Sequence, residues 1–185
     1  MFTDDGGNMK DKLKWGIIST GRIAQTFADG VLHSDTGKLV AVASREKQKA
    51  QQFAEKFNIP SAYGSYEELL ADSNVEAVYI ATPHPSHALW AIRTAEAKKH
   101  ILCEKPIGIN HAQAMAIVDA AIENDVFLME AFMYRCHPQT KKLVELLREN
   151  IIGDVRVIQA TFSFQATFSP ESRLFNNDSG GGGIL

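Results

Sequence analysis

Cysteine is nearly absent: Cys103 and Cys136 are the only two, and they are too far apart for a CxxC motif and too few for a disulfide framework. A disulfide-stapled secreted fold is thereby excluded, and a reducing cytoplasmic setting fits best. Positive charge is also scarce. Lys and Arg number 19 against 22 Asp and Glu, for a net charge of −3 and no basic stripe. The electrostatic footprint of a nucleic-acid binder is missing, so no nucleic-acid partner is expected. No apolar run reaches the roughly 20 residues of a membrane span. The opening stretch carries Asp4, Asp5, Gly6 and Gly7 where a signal peptide needs a basic start and an apolar core, so no membrane partner is expected either. Histidines 84, 87, 100, 111 and 137 lack ligand spacing, and His84 and His87 have no third ligand nearby in sequence, so no metal is expected.

What is present is apolar material in a regular arrangement. At 185 residues and 45% hydrophobic, the chain has room for one ordinary domain and part of another. Short apolar runs at 13–19, 38–44, 77–81, 100–103 and 127–130 predict strands, with a minor strand at 61–63. Between them, 22–33, 46–57, 66–71, 87–98 and 111–124 carry apolar residues at helical spacing, with Ser65 and Asn110 as N-caps. This alternation predicts an α/β fold whose parallel sheet is covered by helices. After a helix at 140–150 the pattern changes to a long alternating stretch, 154–168, which reads as one strand of an open antiparallel sheet. The expected division is an extension over 1–12, a nucleotide-binding domain over 13–135, and over 136–185 the start of an incomplete α+β domain cut off part-way.

The first strand-to-helix turn reads Ser19-Thr20-Gly21-Arg22-Ile23-Ala24, a degenerate GxGxxG with Ser19 for the first glycine and Ala24 for the third. Gly21 stands where backbone must approach a pyrophosphate closely, at the start of a helix whose free N–H groups attract anions. The position after a strand and before a helix is what a Rossmann-type, doubly wound sheet requires. The alternative is a tight structural turn. Specificity is expected at the tip of the second strand, where NAD enzymes place a carboxylate and this chain places Ser44 and Arg45. A hydroxyl and a guanidinium suit a 2′-phosphate, with Lys49 as a second positive charge, so NADP is the expected cofactor and NAD the alternative. The competing reading of Arg45 and Lys49 is a solvated helix start. Thr82-Pro83-His84-Pro85-Ser86-His87 and Glu104-Lys105-Pro106 follow later strands and should face the same crevice. Lys105 is the candidate proton carrier, since a lysine desolvated beside a cofactor can exchange a proton with a carbonyl or carbinol oxygen. An ordinary surface Glu-Lys ion pair is the alternative.

Taken together, the first turn, Ser44-Arg45, Tyr63-Gly64-Ser65-Tyr66, Cys103-Glu104-Lys105-Pro106 and Met129-Glu130-Ala131-Phe132-Met133-Tyr134-Arg135 resemble the Gfo/Idh/MocA oxidoreductases. Within them the chain is most similar to the branch of dimeric dihydrodiol and NADP-dependent xylose dehydrogenases. The resemblance implies NAD(P)-dependent oxidation of a CH–OH group in a sugar, polyol or cyclic diol, and a homodimer for the full-length protein. It implies that Lys105 is the catalytic lysine and that Pro106 is the loop proline, where a cis bond is allowed. Glu104 would lie near the nicotinamide ribose and Arg135 near the nicotinamide. His87 matches the histidine of a Thr-Pro-Asn-x-x-His stretch in which His84 replaces the asparagine. The family continues beyond a glycine-rich segment, matched by 180–185, into an Asp-x-Gly-x-His or Asp-x-Gly-x-Tyr stretch that these 185 residues do not include. The isolated chain is therefore expected to bind nucleotide and to be inactive. Alternatives are a truncated, non-catalytic nucleotide-binding module and a biliverdin-reductase-like member with another substrate.

Overall fold

The structure, a computed structural model, describes residues 12–170 and 175–176. The expectations for residues 1–11 and for the glycine-rich segment at 180–185 lie outside the described residues. By contacts the chain divides into two units, Met1–Glu130 and Ala131–Leu185.

In the first unit six parallel strands form one sheet: β1 (Leu13–Ile18), β2 (Gly37–Ala43), β3 (Ser61–Tyr63), β4 (Ala77–Ile80), β5 (His100–Cys103) and β6 (Leu128–Glu130), in spatial order β3-β2-β1-β4-β5-β6. Between them run α1 (Arg22–Leu32), α2 (Lys47–Phe57), α3 (Tyr66–Ala71), α4 (His87–Glu96) and α5 (His111–Glu123), α4 being preceded by a single 3-10 turn, His84–Ser86. This is the doubly wound Rossmann order, with its switch point between β1 and β4. The strands are apolar along their length because helices cover both faces; β4, Ala-Val-Tyr-Ile, is buried at every residue. Helices dock by narrow apolar stripes: Ala24, Ala28 and Val31 on α1, and Ala50, Phe53, Ala54 and Phe57 on α2. The caps fall where the sequence predicts, Ser65 Oγ accepting the Glu68 N–H and Asn110 Oδ1 accepting the Gln113 N–H. Gly16 is bare for a packing reason: a Cβ there would stand 2.9 Å from Val75 Cγ1 and 3.0 Å from Leu69 Cδ2.

The ladders bring the strand ends level. Ile18 pairs with Ala43 and Ile80, Ala43 with Tyr63, Ile80 with Cys103, and Cys103 with Glu130. The residues that follow, Ser19, Ser44, Gly64, Ala81 and Glu104, therefore leave the sheet along one carboxyl edge. The opposite edge is structural. There the buried Lys99 donates to the carbonyls of Asp72 and Val75 at 2.7 and 2.8 Å, tying the end of α3 to β5.

The second unit holds a short 3-10 turn, Met133–Cys136, and α6, Pro138–Arg148, begun by Pro138 and capped by His137 Nδ1, which accepts the Gln139 N–H. The strand expected over 154–168 is not formed: these residues have no ladder partner and side chains such as Val157, Phe162 and Phe164 are exposed. Alternation specifies which face of a strand is apolar, but a strand exists only beside a neighbour that takes its N–H and C=O groups.

Candidate functional site

At the switch point, β1 runs into the bend Ser19-Thr20-Gly21 and then α1. Ser19 adopts φ +92, the left-handed half of backbone space where the usual glycine of this turn would cost nothing. Its Oγ receives a long 3.4 Å hydrogen bond from the Gly21 N–H. Gly21 itself has φ −68 and ψ 176, open to any residue, and a Cβ added to it would meet only Ser19 Oγ, at 3.7 Å. Neither conformation nor packing demands glycine there, and the bend is left bare at this position. No side chain caps α1 and no acidic residue stands in its first turn, whereas α3 and α5 are both capped. The first helical hydrogen bond is Gln25 N–H to the Gly21 carbonyl, which leaves the N–H groups of Arg22 and Ile23 facing out, flanked by Ile23, 38% exposed. An uncapped, unobstructed helix start of this kind is an anion cradle.

Beside it, the ends of β2, β3 and β4 enclose a cavity of about 330 Å³ lined by Arg45, Ser65, Tyr66, Thr82, Pro83 and Trp90, among others. Trp90 packs edge-on against Tyr66, and Arg93, paired with Glu67 at 2.7 Å, covers the Trp90 ring. Burial pushes the Tyr66 phenol up from its ordinary value while the Arg45 guanidinium pulls it down, so the positive charge faces this wall. Ser44 is buried at the strand tip, its Oγ accepting the Glu46 N–H. Lys49 pairs with Glu46 at 2.6 Å on the exposed helix start. Thr82 Oγ1 is buried without a hydrogen-bond partner among the described residues, a vacancy that a ligand's polar atom would fill. The fit to a dinucleotide rests on these features: a bare bend, an uncapped helix start, a flat aromatic-walled cavity with one guanidinium, and an unsatisfied hydroxyl.

Further along the same edge, Lys105 is exposed and the Lys105–Pro106 peptide is cis. The desolvation expected around this amine is therefore not supplied by the described protein groups. Glu104 points inward: Tyr79 Oη donates to its Oε1 at 2.6 Å, and its Oε2 accepts the Lys105 N–H at 3.3 Å. The surface Glu-Lys ion pair entertained from sequence is absent among the described residues. His87 is wholly buried, with Nδ1 at 2.8 Å from the Pro106 carbonyl and Nε2 at 2.9 Å from the Thr82 carbonyl. Its ring links two loops from beneath and presents neither nitrogen to the crevice. His84 opens the 3-10 turn that leads into α4, and Pro83 immediately precedes it. Arg135 is exposed and belongs to the second unit. Tyr66, Trp90, Tyr79 and Glu130 were not singled out as site residues by sequence reasoning. Tyr66 and Glu130 fall within motifs of the resemblance without a role of their own, and Tyr79 and Trp90 read as ordinary apolar positions; their contacts show only once the loops are folded over them. No group of three or more possible metal ligands occurs among the described residues, and no described helix is long and apolar enough to cross a membrane.

Residues 13–132 match the model of the GFO_IDH_MocA oxidoreductases, a family with an NAD-binding Rossmann fold. The chain belongs to this family. Trans-1,2-dihydrobenzene-1,2-diol dehydrogenase of Mus musculus is 46% identical over 175 residues, 94% of this chain and 52% of that protein. The Danio rerio enzyme of the same name is 40% identical, with 94% and 52% covered. Among solved structures, KijD10, a 3-ketoreductase from Actinomadura kijaniata in complex with TDP-benzene and NADP, superposes with TM-score 0.73 at 33% identity, covering 79% of this chain and 46% of that one. An NAD binding oxidoreductase from Klebsiella pneumoniae gives TM-score 0.72 at 29% identity, covering 77% and 40%. The chain thus spans about half the length of the curated relatives it matches.

Proposed function

We propose that this chain is the coenzyme-binding half of an NADP(H)-dependent oxidoreductase that acts on a CH–OH group of a sugar, polyol or cyclic diol. The observation that carries the reading is Gly21, a glycine that the fold itself does not need, at an uncapped helix start on the carboxyl edge of the sheet. The bend at Ser19, Thr20 and Gly21, with the N–H groups of Arg22 and Ile23, would hold the pyrophosphate. Adenosine would take the cavity between Arg45 and Thr82-Pro83, with the 2′-phosphate on Ser44 and Arg45 and Lys49 as a weaker second charge. His84 would flank the same loop, and Glu104 and Arg135 would serve the nicotinamide end. NADP, when bound, supplies the hydride chemistry. Lys105 would hold or pass the hydroxyl proton at its Nζ, and its exposure leaves that amine free to be covered by ligands. The trans-dihydrodiol relatives and the NADP-bound ketoreductase support the substrate and coenzyme classes. The full-length protein would be a homodimer in the cytoplasm.

Titration of the purified chain with NADPH and NADH, followed by fluorescence, tests this directly. Gly21→Ala should leave unfolding free energy within about 1 kcal/mol of the original, because a Cβ is accommodated and only cap preference changes, yet lose most dinucleotide affinity. A variant that binds as before removes the basis of the reading. Arg45→Ala should weaken NADPH by about 1.5–3 kcal/mol, the worth of a charged hydrogen bond, and leave NADH nearly unchanged; equal losses would make the site indifferent to the 2′-phosphate.

A further inference from the structure

The loop that carries Lys105 is not held by backbone ladders. The Glu104 N–H still bonds to the Ile80 carbonyl, but from Lys105 onward the main-chain groups turn to side chains. Tyr79, in buried β4, reaches Glu104; His87 Nδ1, at the start of α4, lies 2.8 Å from the Pro106 carbonyl; Glu130 Oε1, at the end of β6, accepts the Ile107 N–H at 2.9 Å. Three contacts from three elements thus grip residues 104, 106 and 107, and the one side chain between them left outward is Lys105. A loop whose polar groups are satisfied by side chains has its position set by those side chains.

Tyr79 is built for this task. It is 2% exposed, and its ring stacks on Phe27 of α1 with centroids 3.9 Å apart, so the phenol has one direction in which to donate. Burial and the neighbouring Glu104 push its pKa well above that of an ordinary phenol, which keeps the hydroxyl a donor at any working pH. Phe27 in turn meets Trp15 edge to face. The helix that begins at Gly21 and the loop that bears Lys105 therefore share one buried aromatic support.

We propose that Tyr79, together with His87 and Glu130, forms a three-point clamp that positions the Glu104-Lys105-Pro106 loop against the nicotinamide end of the coenzyme, making Tyr79 a positioning residue. The clamp rests on the coenzyme reading above only for what it is positioned against. Its existence is a property of the ligand-free chain.

The test uses Tyr79→Phe, which removes one oxygen and keeps the ring stacked on Phe27. In ligand-free protein, amide hydrogen exchange over 104–109 should accelerate by on the order of tenfold, the worth of a buried hydrogen bond, while amides of β1 and β2 stay as protected as before. NADPH affinity should fall by a similar factor, and affinity for 2′,5′-ADP, which lacks the nicotinamide half, should not change. Glu130→Gln keeps an oxygen for the Ile107 N–H and should exchange slowly, whereas Glu130→Leu should exchange fast. Unchanged exchange over 104–109 in Tyr79→Phe, or equal loss of NADPH and 2′,5′-ADP, would overturn the clamp. If the unaltered chain binds no dinucleotide, the coenzyme reading fails, and the exchange measurement still decides the clamp.

Discussion

Ser19 and Gly21 divide between them what a glycine pair does elsewhere. Ser19 occupies the strained backbone at φ +92, and Gly21 supplies the missing Cβ where the backbone itself is relaxed. The two positions should respond oppositely to substitution. Ser19→Gly relieves a conformation costing about 1–3 kcal/mol and adds about 0.5–1 kcal/mol of unfolded-chain entropy, so chemical denaturation should show a gain of about 1 kcal/mol. A loss would mean that Ser19 Oγ, and not the backbone, governs the turn. The tip of β2 shows how one residue can be legible and its neighbour misleading. Arg45 lines the cavity as its place after the strand implies, while Lys49, equally basic and one turn on, is engaged by Glu46, which lies three residues before it on the same helix face. Sequence shows both charges and cannot show which one is already paired.

Elements follow local signals closely wherever burial agrees with them. The stripe on α2, the caps at Ser65 and Asn110 and the apolar runs of β1, β2 and β4 all sit within a residue or two of where pattern places them. Packing between elements is less visible. Gly16, mid-strand, has no local signal that explains it, yet its bareness is required by Val75 and Leu69. Gly16→Ala should therefore cost about 1–3 kcal/mol of stability by overpacking, read as a lower urea midpoint, with dinucleotide affinity of the folded protein preserved; this is the reverse of Gly21→Ala. The 154–168 segment marks the limit of element-scale reasoning. Its alternation is strand-like, but without neighbours to complete the ladder the residues stay irregular and exposed.

For the molecule as a whole, alkaline pH is the informative axis. Burial pushes the Cys103 thiol up to about 12 and the Tyr79 phenol up as well, and lowers the Lys99 ammonium from its ordinary value. For the two acids the unfolded chain gives up its proton first, Cys103 near 9 and Tyr79 near 10, so their stabilisation is complete below those values and is lost as pH rises through them. Lys99 has the opposite sign: the native state sheds its proton first, and stability rises with pH up to its unfolded value of 10.5. Tyr63 and Tyr66 are raised as well, so four acids stand against one base; urea midpoints should fall between pH 9 and 11, and Cys103→Ala should flatten the fall although it lowers the whole curve by leaving a cavity. A midpoint that rises over this range would show Lys99 to dominate.

By itself the sequence determined the alternation of strands and helices, the caps, the bend at Gly21 and the sets of residues that leave the strands, because each depends on periodicity and on neighbours a few positions away. Only the tertiary structure decided which of those residues act together. The level strand ends gather Gly21, Arg45, Thr82 and Lys105 on one edge, His87 turns inward to tie two loops, and Tyr79 and Glu130 become supports for the Lys105 loop. Hydrogen bonds across 19 to 25 residues of chain, such as those from His87 and Tyr79, have no local signature, since their partners meet only when the sheet is assembled.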